Sequence, residues 1–180
     1  MIRLFVGIEL PEGTRERLAG LCCGVPGARW VAAENMHLTL RFIGEVERGQ
    51  AEDVDSALLR VRSPRFDLTL DGVGYFGKAS AVRSLWAGVR KCEALSRLQA
   101  KVETSIQAAG VPREERKFSP HITLARLRGA PALRLQRFVA ENSHFLAGPI
   151  AVERFVLFSS FRSSSGPIYT AEADYSLTAG

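Results

Sequence analysis

Short apolar segments rich in β-branched and aromatic residues recur along the chain and predict seven strands. They are Arg3–Glu9, Met36–Ile43, Phe66–Val73, Ser84–Val89, His121–Ala125, Ala151–Phe158 and Ile168–Tyr175. Between them, apolar residues at helical spacing predict four helices. These are Gly13–Cys22, Gln50–Arg62, Lys91–Ala109 and Pro131–Glu141.

The order of these elements indicates the fold class. Strands 66–73 and 84–89 follow each other without an intervening helix, and so do the last two strands. Neighbouring strands joined by short loops pair antiparallel, so the order favours an α+β fold with mainly antiparallel sheets and flanking helices over a doubly wound parallel sheet.

One short sequence occurs twice, about half a chain apart. His37-Leu38-Thr39-Leu40 recurs 84 residues later as His121-Ile122-Thr123-Leu124, each time on a predicted strand. A repeat at this spacing indicates two structural units. We therefore expect residues 1–180 to form a single bilobal domain with pseudo-twofold symmetry, in which the two repeats face each other across a central cleft.

Each repeat places an imidazole beside a hydroxyl, because residues two apart on a strand point to the same face. His37 and Thr39 would share the cleft face of one strand, and His121 and Thr123 that of the other. The same alternation also places Arg41 on the cleft face.

Two imidazoles and two hydroxyls around one small volume suit the cleavage of a phosphodiester by in-line displacement. One imidazole can take a proton from the attacking water while the other protonates the leaving oxygen, since the ordinary pKa of histidine is about 6.5. The threonine hydroxyls can donate to the non-bridging oxygens. This chemistry requires no metal ion or other cofactor, and two histidines without a nearby acidic ligand make a poor zinc site.

Charge and composition narrow the class of partner. The net charge is +5, and 20 of the 24 basic residues are arginine, which favours a polyanionic partner such as RNA. The three cysteines give neither a disulfide framework nor a zinc motif. No apolar run is long enough for a membrane span, and the N-terminus does not resemble a signal peptide. We expect a cytoplasmic protein that is a monomer and does not associate with membranes.

Beyond these patterns, the sequence resembles the two-histidine phosphoesterases, and within them the LigT-like RNA 2′,3′-cyclic phosphodiesterases, also called 2′-5′ RNA ligases. The similar segments are 3–11, 29–31, 34–45, 72–76, 85–89 and 118–126. The resemblance implies metal-independent hydrolysis of an RNA 2′,3′-cyclic phosphate to a 2′-phosphate, with reversible 2′-5′ ligation as a possible second reaction. It also implies that His37 protonates the leaving 3′-oxygen and that His121 activates water.

The resemblance adds Arg126 as a residue that contacts the substrate. Simple alternation from His121 places Arg126 on the opposite face of the strand, so a β-bulge would be needed to bring its side chain into the cleft. Two other functions remain open from the residues alone. One is hydrolysis of a different cyclic phosphate, such as a cyclic ADP-ribose phosphate or an oligonucleotide second messenger, and the other is a non-catalytic nucleotide-binding module.

Three further features are interpreted as structural. Residues 72–77 spell G-x-G-x-x-G, but no helix is predicted after them, so we interpret the glycines as part of a hairpin rather than a dinucleotide site. His144 lacks a threonine two residues later and is expected in a surface loop. At most one or two of four strand aromatics are expected to stack on a nucleobase, namely Trp30, Phe42, Phe76 and Trp86.

Overall fold

The computed structural model describes residues 1–78 and 81–179. Its strands are β1 (Ile2–Glu9), β2 (Arg29–Trp30), β3 (His37–Val46), β4 (Phe66–Phe76), β5 (Ser84–Val89), β6 (His121–Arg126), β7 (Leu146–Val152), β8 (Arg154–Ser163) and β9 (Gly166–Ser176). Its helices are α1 (Glu12–Ala19), α2 (Arg48–Leu58), α3 (Glu93–Ala108) and α4 (Ala132–Glu141), with a short 3₁₀ turn at Ala33–Asn35.

The strands form two antiparallel sheets. The first has the order β3-β1-β8-β9 and the second has the order β2-β6-β5-β4-β7. Helices α2 and α3 pack together and lie against the first sheet, whereas α4 packs on β4 of the second. This arrangement confirms the predicted α+β class with two mainly antiparallel sheets and flanking helices.

The two repeats lie on strands of different sheets, β3 and β6, which are in contact with each other. The back faces of both strands are apolar and fully buried: Leu38 and Leu40 on β3, Ile122 and Leu124 on β6. These four side chains belong to one continuous core. Burial of each such side chain stabilises the fold by roughly 1.5–3 kcal/mol, so the histidines project from a firmly packed base.

The predicted strand Ala151–Phe158 is wrong as a single element. The chain leaves the second sheet at the end of β7 and enters the first sheet one residue later as β8, with Glu153 between them. The apolar pattern continues through this crossing because both strands bury residues, including Val152 and Phe155. The hydrophobic pattern of the sequence therefore does not reveal that the chain changes sheets here. Strand β2 and the 3₁₀ turn were not predicted, because each is only two or three residues long.

No helix in the described part of the chain is long and apolar enough to cross a bilayer.

Candidate active site

A cleft of about 920 Å³ lies between the two repeat strands. It is lined by the repeat residues together with arginines, aromatics and the β8–β9 hairpin. The lining residues include His37, Thr39, Phe42, His121, Thr123, Arg126, Arg3, Arg29, Arg162, Asn35 and Tyr169. The structure therefore brings all five residues of the predicted site, His37, Thr39, His121, Thr123 and Arg126, into one cavity.

The His37 imidazole is held at both ring nitrogens. Its Nδ1 lies 2.7 Å from the Asn35 carbonyl oxygen and its Nε2 lies 2.8 Å from the Thr39 hydroxyl. A carbonyl can only accept, so Nδ1–H donates to Asn35, and the Nε2 of the neutral ring accepts from Thr39. Nε2 is therefore the ring nitrogen that can gain or lose a proton while the bond to Asn35 is kept.

Aromatic rings surround His37 on the side of the first sheet. Phe5 lies 4.8 Å from it between ring centroids, Tyr169 lies 5.4 Å away edge-on, and Phe158 lies 6.1 Å away. This burial lowers the pKa of His37, while the hydrogen bond to Asn35 raises it and the charge of His121 lowers it further. The net direction is downward, so burial dominates.

The His121 imidazole is held in the same way at its Nδ1. That atom lies 2.7 Å from the Ser119 carbonyl oxygen, again two residues earlier in the chain. Phe76 meets the ring edge-on at 4.8 Å, and Trp86 lies 6.4 Å away between centroids. Both histidines therefore present Nε2 as the nitrogen available for proton transfer, each from its own side of the cleft.

The repeat includes a β-bulge that sequence alternation cannot show. In β3 the residues Thr39 and Arg41 pair with consecutive residues of β1, so Leu40 is the extra residue. In β6 the residues Thr123 and Ala125 likewise pair with consecutive residues of β5. Each bulge inserts one residue and reverses the alternation after it.

The bulges decide the positions of two arginines. Arg126 lies on the cleft wall, because the bulge at Leu124 reverses the alternation and places residue 126 on the same face as His121. Arg41 does not line the cleft: its side chain is buried on the opposite face of β3 and pairs with Glu103. The expectation that Arg41 faces the site is therefore wrong, and the reason is the bulge at Leu40. The residue of β3 that takes the place of Arg126 is Phe42, which is 43 % exposed in the cleft.

The charge of the cleft is positive. Arg3, Arg29, Arg126 and Arg162 line it, and no Asp or Glu is found among the described lining residues. Arg126 and Arg3 come from different sheets but both act on the Tyr169 hydroxyl. Burial raises the pKa of Tyr169, and the charges of Arg126 and Arg3 oppose that rise. Arginines from both sheets thus line the cleft, which favours an anionic ligand.

The glycine-rich segment and His144 lie where they were expected. Residues 72–76 belong to β4, which pairs with β5, and no helix begins there in the described residues. His144 is exposed in the turn after α4. Among the four aromatics, Trp30 and Phe42 line the cleft, whereas Phe76 and Trp86 pack beside His121.

Sequence reasoning missed the β8–β9 hairpin as a wall of the cleft. Ser160, Arg162 and Tyr169 line the cavity from this hairpin. The Asn35 side chain, which also was not predicted, donates to the Pro167 carbonyl at 3.0 Å and so fastens the hairpin beside His37. A long-range contact of this kind leaves no periodic signal in the sequence.

The described residues offer no cluster of metal ligands. Within residues 1–78 and 81–179, no three His, Cys, Asp or Glu side chains come together as a possible metal site.

Comparison with known proteins identifies the family. The sequence profile of the family described as "LigT like Phosphoesterase" matches residues 8–86 and 88–169, which together include both repeats. The chain belongs to the LigT-like phosphoesterase family.

Relatives and solved structures agree with this assignment. The RNA 2′,3′-cyclic phosphodiesterase of Thermotoga maritima is 34 % identical over 174 residues, covering 93 % of this chain and 91 % of that protein. The present chain superposes on the crystal structure of E. coli LigT complexed with 3′-AMP with a TM-score of 0.77, at 30 % identity and with 98 % of each chain covered. The crystal structure of the Thermus thermophilus protein TT0787 gives a TM-score of 0.78 at 28 % identity, again with 98 % of each chain covered.

Proposed function

We propose that this phosphoesterase hydrolyses RNA 2′,3′-cyclic phosphodiesters to 2′-phosphomonoesters without a metal ion, using His37 and His121 as its acid and base. The observation that carries the proposal is the equivalent setting of the two imidazoles. Each is fixed through Nδ1 by the carbonyl two residues earlier, and each stands on one of two facing strands that line the same cleft.

The reaction balances with these two groups alone. A water oxygen bonds to phosphorus as the bond from phosphorus to the 3′-oxygen breaks, in line with the attack. The base takes a proton from water and the acid gives a proton to the 3′-oxygen, which leaves the phosphate on the 2′-oxygen. Each proton transfer by a positioned side chain contributes about 100- to 10,000-fold.

We assign proton donation to His37 and water activation to His121. Burial lowers the pKa of His37 in the free protein, which alone favours the neutral ring near pH 7. A bound phosphodiester is an anion, and an anion within a few ångströms favours the protonated imidazole. The bound substrate therefore favours protonated His37, which can act as the proton donor in the complex.

The remaining cleft residues suit an anionic substrate. The Thr39 and Thr123 hydroxyls and the Arg126 guanidinium are donors that can bind the non-bridging oxygens, where negative charge accumulates in the transition state. The cleft carries additional arginines beyond those needed for one phosphate, which suits RNA more than a mononucleotide. Relatives of this chain are named RNA 2′,3′-cyclic phosphodiesterases, and E. coli LigT has been crystallised with 3′-AMP.

The test measures turnover of an oligonucleotide that ends in a 2′,3′-cyclic phosphate, in buffer containing EDTA. Changing either His37 or His121 to alanine should lower kcat about 100-fold or more. The double variant should lose much less than the product of the two, because an acid and a base that act in one step are not additive. His144→Ala is the matched control, since His144 is exposed outside the cleft, and it should retain normal turnover.

Product analysis separates the alternatives. A 2′-phosphate product supports the proposal, and a new 2′-5′ linkage with a 5′-hydroxyl oligonucleotide would show that the same groups also activate a sugar hydroxyl. Normal turnover by either histidine variant, or activity that EDTA abolishes and Mn²⁺ restores, would refute the acid–base mechanism. Tight nucleotide binding without turnover would favour the binding-module function.

A further inference from the structure

A buried ion pair lies behind the cleft, on the far face of β3. Arg41 and Glu103 of α3 form this pair, with side chains only 5 % and 15 % exposed. The Arg41 Nε donates to a Glu103 carboxylate oxygen, and its two terminal nitrogens donate to the backbone carbonyls of Phe42 and Pro112. One guanidinium group thus joins three separate segments of the chain.

Glu103 holds the same loop from the other side. Its second carboxylate oxygen accepts the backbone N–H of Glu114 at 3.1 Å and the Gln107 side-chain amide at 2.8 Å. Burial raises the pKa of Glu103, but the hydrogen bonds from Arg41, Gln107 and Glu114 outweigh it and the net pKa is lowered. The carboxylate is therefore charged across the neutral range.

The loop held by this pair leads directly to the second histidine. Residues 111–120 form neither helix nor strand and carry the chain from α3, on the first sheet, to β6, in the second. Their last part contains Ser119, whose carbonyl fixes His121 Nδ1. Between the ion pair and Ser119, Phe118 packs against the core.

Two features distinguish this pair from ordinary packing. A buried ion pair is weak evidence for stability, because apolar side chains of similar volume often serve equally well. Apolar side chains cannot bond directionally to Pro112 and Glu114, however, and these two bonds set where the loop starts. In addition, the residue equivalent to Arg41 in the second repeat is Ala125, so the ion pair occurs on only one side of the site.

We propose that Arg41 and Glu103 are a positioning pair for His121: they anchor the start of segment 112–120 and thereby set the orientation of the His121 imidazole. The inference rests on the proposed function only in treating His121 as a catalytic group. Neither residue lines the cleft, and the pair acts through the loop rather than on the substrate.

The test combines kinetics with the imidazole signals of the three histidines in NMR spectra. Glu103→Gln keeps the volume of the side chain, and Arg41→Lys keeps the charge but cannot reach all three partners. In both variants kcat should fall by about 10- to 100-fold with KM nearly unchanged, because a misplacement of about 1 Å costs this much even when its origin is remote. The double variant should lose little more kcat than either single variant, since both changes disrupt the same ion pair.

The NMR signals distinguish positioning from general loosening. The chemical shifts of the His121 imidazole should change, whereas those of His37 and His144 stay as they were. Arg48→Lys is the control, because Arg48 forms an exposed ion pair with Glu52 and should alter neither rate nor signals. All measurements are made well below the Tm of each variant.

Two results would overturn the inference. One is a lowered Tm with normal kcat and an unchanged His121 signal, which would mean that the pair only stabilises the fold. The other is an equal shift of all three histidine signals. If His121→Ala itself kept full activity, the proposed function would fail, but the NMR signals would still decide whether this pair orients His121.

Discussion

Gly7 of β1 lies directly against the first repeat, and there is no room for a side chain at this position. A Cβ built on Gly7 would lie 2.9 Å from the Leu38 carbonyl oxygen and 3.4 Å from Cδ2 of His37. Ordinary contact begins at about 3.4 Å, so the backbone of β3 would have to move by roughly half an ångström. We predict that Gly7→Ala displaces His37 by a similar amount.

The expected loss follows from that distance. A displacement of 1 Å at a reacting group costs about 100-fold, so half of it should lower kcat about tenfold. The extra methyl group should also destabilise the fold by about 1–3 kcal/mol, as overpacking does. For a protein of this size that corresponds to a fall in Tm of ~2–4 °C per kcal/mol.

The assay is kcat and KM with an oligonucleotide 2′,3′-cyclic phosphate, together with Tm. Gly13→Ala and Gly49→Ala are matched controls, because a Cβ at either position meets nothing within 4 Å and both residues lie in helices. They should retain normal kcat and gain up to about 1 kcal/mol in stability. A Gly7→Ala protein with normal kcat would refute the reasoning, as would an equal loss in the two controls.

Two further predictions concern charge in the cleft. Arg126→Gln should lower kcat/KM about 10- to 100-fold, because a hydrogen bond to a charged group is worth about 1.5–3 kcal/mol; Arg134→Gln on the exposed side of α4 is the control, and an equal effect of both would contradict a specific contact. His37 as the acid must be protonated, so activity is lost on the alkaline limb as pH rises through its pKa. Burial lowers that pKa in the free protein and the bound phosphate anion favours protonated His37, so the alkaline midpoint should lie at higher pH in the kcat profile than in the kcat/KM profile. An alkaline midpoint at the same pH in both profiles would contradict this assignment.

The sequence predicts the parts of this fold that depend on local patterning. The buried back faces at Leu38 and Leu40, and at Ile122 and Leu124, follow from alternation with the two histidines, and all four are found in the core. In the predicted helix 91–109, four apolar residues at helical spacing are likewise buried: Leu95, Leu98, Val102 and Ile106. Local periodicity is enough here because each element places its own apolar face against the core.

Contacts between distant segments could not be predicted in this way. The hairpin that walls the cleft is fastened by a bond from Asn35 to Pro167, and the crossing between sheets at Glu153 occurs inside an apolar run. Neither depends on the period of the surrounding residues. Both are decided by which strand pairs with which, and that information is not local to any window of sequence.

The bulges show how one residue can reverse such a prediction. After each histidine and threonine, two consecutive residues are buried instead of one: Leu40 with Arg41, and Leu124 with Ala125. In the second repeat the pair Leu-Ala is apolar, which is compatible with a bulge. In the first repeat, Arg41 is charged, and its charge suggests a cleft residue. The structure shows instead that it is buried and paired with Glu103. Charge alone therefore does not decide which face of a strand a residue lies on, because an oppositely charged residue on a remote helix can pair with the buried charge. The same shift that buries Arg41 brings Phe42 and Arg126 to equivalent places in the cleft. The two repeat strands therefore share the bulge and differ in the residue that lines the cleft after it, an aromatic ring on one side and a guanidinium group on the other.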